Sequence, residues 1–206
     1  MYLPKRFENG DIELSFDLMK RNPFATVISV GESGEPFVSH LPLVAEREND
    51  RLVLYGHLAR ANPHAKLLER SGGVYVIFHG PHAYITPKWY VENDVPTWNY
   101  AVVHVRGACT MIADFKGITE CLKKLTAHIE GGNPDGWKFW LPEDLSDPAV
   151  VEKSIVGFRI HAESIQSKLK LNQNRSEADR EGVITGLKER RDDLSRGVLE
   201  LMENLR

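Results

Sequence analysis

The sequence predicts a mainly β fold, an antiparallel β-barrel with peripheral helices. Three observations predict it. About six β-rich segments are separated by short polar turns, and helical patterns fall between them without the regular strand–helix alternation of a parallel α/β sheet. The 206 residues, 42% apolar and 27% charged, suffice to bury one substantial core. Closed and half-closed barrels both satisfy this pattern.

Residues 11–21, DIELSFDLMKR, place Ile12, Phe16 and Met19 on one helical face, with Asp11 as N-cap and Asn22-Pro23 as the stop. FATVISV (24–30), PFVSHLPLVAE (36–46) and LVLYGHL (52–58) then read as an antiparallel meander joined by the turns GESGEP and RENDR. A brief helix runs to about Arg70, with Asn62 as its N-cap and Pro63 at its first position. Gly72-Gly73 break that pattern, and VYVIFHG (74–80) resumes it as a buried strand. NYAVVHVRGACTMIA (99–113) reads as a long strand, bent near Gly107. Helix 115–130 follows, with Ile118, Leu122, Leu125 and Ile129 in register.

The segment from Gly131 to Pro148, rich in Gly, Pro, Asp and Trp, reads as an ordered covering loop. VGFRIHAESIQSKLKL (156–171) is the last long strand. From Ser176 the tail is helical, and Leu187, Leu194, Val198, Leu201 and Leu205 form an apolar stripe that needs a partner surface. The expected organisation is one domain over 1–206, with a C-terminal helical extension from about 176 to 206.

A net charge of −3 supplies no overall positive field for nucleic acid. No nucleophile elbow, Walker loop, GxGxxG or HExxH occurs, which argues against hydrolase, nucleotide-triphosphatase and zincin chemistry. Histidine pairs His57/His64 and His79/His82 lack the acidic residues of a recognisable ligand set, so no metal site is assigned. Cys109 and Cys121 read as buried thiols in a reducing compartment. The N-terminus has no signal-type apolar region, and no run approaches the roughly 18 apolar residues of a membrane span, so the expected location is cytoplasmic.

Three polar or aromatic clusters remain. In YGHLARANPHAK (55–66), Asn62-Pro63 is explained by starting the helix, whereas His57 and Arg60 flank a helix start whose exposed N–H groups favour an anion. Arg60 reads equally as a solvated loop residue. In LKLNQNR (169–175), Gln173, Asn174 and Arg175 suit the edge of a heteroaromatic ring and a phosphate, or form a polar turn into the Ser176 cap. In GPHAYITPKWYVENDVPTWNY (80–100), Tyr84, Trp89, Tyr90, Trp98 and Tyr100 form either a wall for a flat ligand or plain core and interface packing. The KERR segment (188–191) alternates sign with the following Asp pair and reads as a solvated helix face more readily than as a DNA contact.

The ordered series MYLPKRF, VSHLPLV (38–44), YGHLARANPH (55–64), VIFHGPHAYITPKWY (76–90), VPTWNY (95–100) and KLKLNQNRSEADREGVITGL (168–187) resembles the PaiB-like family of FMN-binding negative transcriptional regulators. The resemblance spans nearly the whole chain. It implies an FMN-binding split barrel, antiparallel and Greek-key-like with a C-terminal helix, working as a homodimer with flavin sites at the subunit interface. It also implies repression of genes for sporulation and degradative enzymes, although no helix-turn-helix on a basic face is visible and direct DNA binding stays open. Carried over by motif, Ser39, His40 and Pro42 face the isoalloxazine, and His57, Arg60 and Asn62 hold the flavin phosphate. Trp98 and Tyr100 wall the pocket, and Gln173, Asn174 and Arg175 reach the flavin from the partner subunit. Asn172 stands where a Ser is expected in relatives. The residues alone leave open another planar ligand, such as haem, and the relatives that the resemblance implies leave open an alternative role as a flavin-dependent oxidoreductase using NAD(P)H.

Overall fold

The computed structural model describes the chain except Asp50, Ser71, Gly72, Asn93, Gly132, Pro134, Asp144, Leu145 and Arg206. The Gly72 break, Asp50 of RENDR and parts of the 131–148 loop therefore lie outside the described residues. Among the described residues seven strands form: β1 (Phe24–Val30), β2 (Pro36–Pro42), β3 (Val44–Glu48), β4 (Arg51–Ala59), β5 (Val74–Ile85), β6 (Thr97–Ile112) and β7 (Ile155–Lys170). They make one antiparallel sheet in the order β2-β1-β5-β6-β7-β4-β3.

The extra strand arises because 36–46 is two strands, not one. Its apolar run is continuous, but at Leu43 the chain leaves one edge of the sheet, β2, and enters the other, β3. The Leu43 N–H donates to the Pro23 carbonyl at 2.8 Å and the side chain is fully buried. With a single residue between its two edge strands, the sheet must roll until those edges meet, yet they are not laddered to one another: it is a split barrel, not a closed one. Gly56 on β4 faces the interior at a close approach, where a Cβ would fall within 3.0 Å of Leu43 and Phe158.

The chain forms two compact units, one of Met19–Phe78 and His104–Ile165, the other of Met1–Leu18, His79–Val103 and Gln166–Arg206. In the first, Val27, Val53, Leu54, Val76, Phe78, Phe158 and Ile160 fill the interior. Two helices flank it: α2 (His64–Arg70) packs on β1 and β2, and α3 (Phe115–Glu130) packs on β3 and β4. Asp114 caps α3 through the Gly117 N–H at 2.9 Å. The inward line of α3 is Ile118, Cys121 and Leu125, while Ile129, expected in register, is exposed. A short helix α4 (Pro148–Ser154) closes the loop before β7.

The other unit contains most of α1 (Ile12–Arg21), which Asp11 caps as expected by accepting from the Glu13 N–H at 2.8 Å. The buried face of α1 is Ser15, Leu18 and Met19, whereas Ile12 is exposed in the first turn. The tail is two helices, α5 (Glu177–Lys188) and α6 (Asp193–Asn204), because Asp192 starts a fresh cap on the Ser195 N–H at 2.8 Å. Leu187, Val198 and Leu201 are buried, but Leu194 and Leu205 from the expected stripe are exposed. Helix α5 lies against Trp89 through Gly182 and Gly186, one turn apart, where a Cβ would collide with the Trp89 backbone or ring. Arg190 stacks on the same ring at 4.7 Å. The tail thus finds its partner surface within its own unit.

Candidate functional site

The residues singled out by sequence fall into two groups, one in each compact unit. In the first, Ser39, His40 and Pro42 alternate along the edge strand β2. His40 is exposed and its Nδ1 lies 3.2 Å from Thr26 Oγ1, its cross-strand partner on β1. Ser39 points inward, and its Oγ lies 2.8 Å from His64 Nδ1, while Ser29 Oγ lies 2.7 Å from His64 Nε2. His64 is 0% exposed and packs at 4.8 Å on the Phe37 ring. Burial lowers its pKa, so the neutral imidazole donates to one serine and accepts from the other. This Ser–His–Ser bridge ties β1, β2 and the start of α2 together. Sequence reading passed over it, although two serines at inward-facing strand positions were a signal that a polar partner is buried between them.

At the end of β4, His57 is laddered opposite Gly157 on β7. Its Nδ1 is buried with no partner among the described residues, and burial lowers its pKa. Arg60 continues that ladder: its N–H donates to the Ser154 carbonyl at 2.9 Å, and its Nε donates to the Glu152 carbonyl. The guanidinium of this exposed residue is therefore tethered to the end of α4. Asn62 caps α2 as expected, its Oδ1 accepting from the His64 N–H at 3.0 Å. The first group thus brings a fixed cation and an unpaired buried imidazole to one strand end.

In the second unit, Trp98 and Tyr100 line a cavity of about 370 Å³ with His79, Gly80, His82, Ala101 and Val102. Trp98 meets the His82 ring at 6.0 Å and the Tyr84 ring, edge-on, at 6.1 Å. Of these lining residues, His79 and His82 were seen in the sequence only as a pair without metal-ligand context. Gln173 folds back on its own turn, accepting from the Leu171 N–H at 2.7 Å and donating to the Leu169 carbonyl. Arg175 pairs with Asp94 and stacks on Tyr90 at 4.8 Å, and Asn174 is exposed. Asn172 is buried, holds φ of 60°, and donates to the Tyr90 hydroxyl at 3.1 Å.

Taken separately, the first group offers a tethered arginine and an unpaired imidazole to an anion, and the second offers an aromatic-walled cavity to a flat ring. A family model described as "Putative FMN-binding domain" matches residues 1–164. The chain is 37% identical over 207 residues to the "Protease synthase and sporulation protein PAI 2" of Bacillus subtilis (strain 168), across 99% of this chain and 97% of that one. The chain belongs to the PaiB-like FMN-binding family.

Solved structures show the same fold at low identity. The FAD and haem binding protein from Mycobacterium smegmatis is 18% identical with a TM-score of 0.62, covering 87% of this chain and 80% of that one. The flavocytochrome Anf3 from Azotobacter vinelandii is 18% identical with a TM-score of 0.61, covering 84% and 74%. This is a flavin-binding split-barrel protein, and its cofactor is FMN. Among the described residues no helix is long and apolar enough to cross a membrane.

Proposed function

We propose that the protein is a flavin-binding homodimer that acts as a negative transcriptional regulator in the cytoplasm. The observation that carries this reading is the near full-length likeness to the Bacillus subtilis protein named for protease synthesis and sporulation. Support for the dimer comes from the outward face of β1 and β2, where Phe24, Val30 and Val38 are 66%, 54% and 46% exposed, an apolar patch on a sheet edge that a second copy would cover. In this reading Arg60, His57 and Asn62 hold the flavin phosphate, and His40 and Pro42 lie along its ring, backed by Ser39, which is turned inward to His64. Trp98, Tyr100, Gln173, Asn174 and Arg175 serve a flavin held with the partner subunit. FMN supplies a redox-active ring when bound; this chain's residues bind and orient it.

The test is comparative binding. Arg60→Ala should weaken FMN roughly tenfold or more while leaving riboflavin, which has no phosphate, nearly unchanged. Equal losses for both would remove Arg60 from the phosphate. Size-exclusion with light scattering reads the dimer, and retardation of promoter DNA at low salt reads direct repression; its absence would make regulation indirect.

A second reading, a flavin-dependent oxidoreductase using NAD(P)H and a small substrate, is favoured by the aromatic cavity beside Trp98, which offers room for a planar molecule. Bleaching of the flavin absorbance on mixing FMN-loaded protein with NADH or NADPH would support it, and an unchanged spectrum would dismiss it.

A further inference from the structure

Two lysines near the end of β7, Lys168 and Lys170, project to the same side of the strand, as residues two apart must. Both reach residues of β6, two of which, Trp98 and Tyr100, also line the aromatic cavity. The Lys170 ammonium donates to Thr97 Oγ1 and to the Trp98 carbonyl at 3.1 Å. The Lys168 ammonium lies 5.5 Å from the Tyr100 ring centre and 5.6 Å from that of Tyr2, and donates to the Tyr2 carbonyl at 3.1 Å.

Lys168 is only 9% exposed, an unusual place for an ammonium group. No carboxylate of a described residue lies within ion-pair distance of either lysine. Burial lowers the Lys170 pKa, Tyr100 offsets part of that shift, and the neighbouring Lys168 lowers it slightly again, so two cations sit close together in a partly desolvated place. Faces of Tyr2 and Tyr100 and a few carbonyls moderate that cost without neutralising it. An ammonium has three donors. Lys168 uses one on Tyr2 and Lys170 uses two on Thr97 and Trp98, so both retain donor capacity toward a ligand.

The adjoining cavity is walled by Trp98, Tyr100 and His82, and its volume of about 370 Å³ suits a one- or two-ring molecule. We propose that Lys168 and Lys170, with Trp98, Tyr100 and His82, form a binding site for a planar aromatic anion, whose carboxylate or phosphate meets the two ammonium groups while its ring enters the cavity. The site shares Trp98 and Tyr100 with the flavin reading above and in that respect rests on it, and a flavin phosphate found on these lysines would replace the Arg60 assignment. Two sources share the required chemistry: a free small aromatic acid or phosphate, and the flavin of FMN itself.

The probe is 2-naphthoate against uncharged 2-naphthamide, titrated by calorimetry and by quenching of tryptophan fluorescence. Wild-type protein should bind naphthoate roughly tenfold or more tightly than the amide. Lys170→Met and Lys168→Met should erase that preference while keeping amide binding, and Lys170→Arg should retain it. If saturating FMN displaces naphthoate, and Lys170→Met weakens FMN more than riboflavin, the flavin phosphate is the occupant. If naphthoate binds equally with FMN present, the site takes a separate small anion. Lack of preference for naphthoate in the wild type, a comparison that requires no variant to fold, would overturn the proposal. So would a preference that survives in both methionine variants.

Discussion

The indole of Trp89 packs against Gly186, so close that a Cβ there would come within 3.0 Å of three ring atoms. In an open helix, replacing Gly by Ala stabilises by about 1 kcal/mol. Here the sign should reverse: Gly186→Ala is expected to destabilise by about 1–3 kcal/mol through overpacking. Urea unfolding reads the sign, and a stabilised Gly186→Ala would mean that α5 does not seat on Trp89.

Asn172 combines a left-handed backbone with a buried hydrogen bond to Tyr90. Asn172→Gly keeps the backbone and loses only the bond, a cost of about 1–2 kcal/mol, whereas Asn172→Ala adds about 1 kcal/mol for placing a Cβ at positive φ. The expected stability order is wild type, then glycine, then alanine. Serine, which was expected at this position in relatives, should resemble alanine in stability.

His57 and His64 both have pKa values lowered by burial. The folded chain then favours neutral imidazoles while the unfolded chain protonates near pH 6.5, so their contribution is intact above about pH 6.5 and is lost as pH falls through the lowered folded values. The urea midpoint should decline from pH 7 to pH 5. Replacing both histidines with glutamine should flatten that decline even if it lowers stability overall; an unchanged slope would assign the decline to other groups.

Burial raises the Cys109 thiol pKa to about 12 and that of Cys121 to about 11. Thiolate is therefore scarce at pH 7, and both should react slowly with a disulfide reagent in the folded protein and fast in urea. Rapid labelling of either in the native state would contradict this.

Local chemistry made much of this legible. Segments β1 and α3 carry their own periodicity and stops, and the Asp11 and Asn62 caps are satisfied within three residues. The division of 36–46 was hidden because a switch of sheet edge leaves the apolar pattern continuous, and only tertiary pairing of β3 with β4 exposes it. Among candidate site residues, Trp98 and Tyr100 were visible as aromatic excess, but their cavity also needs His79 and His82, which come from another strand. His64 was legible only as one member of a histidine pair, because its two serine partners lie 25 and 35 residues away in sequence.

The Leu43 corner bears on folding kinetics. Bringing together the two edges of the rolled sheet closes almost no loop, so that junction forms with little chain entropy lost. Pairing β4 with β7, in contrast, joins Val53 to His161 across most of the unit's sequence. The slow step should therefore be insertion of β7 between β4 and β6, and lengthening the Leu43 link should barely change the folding rate while accelerating unfolding.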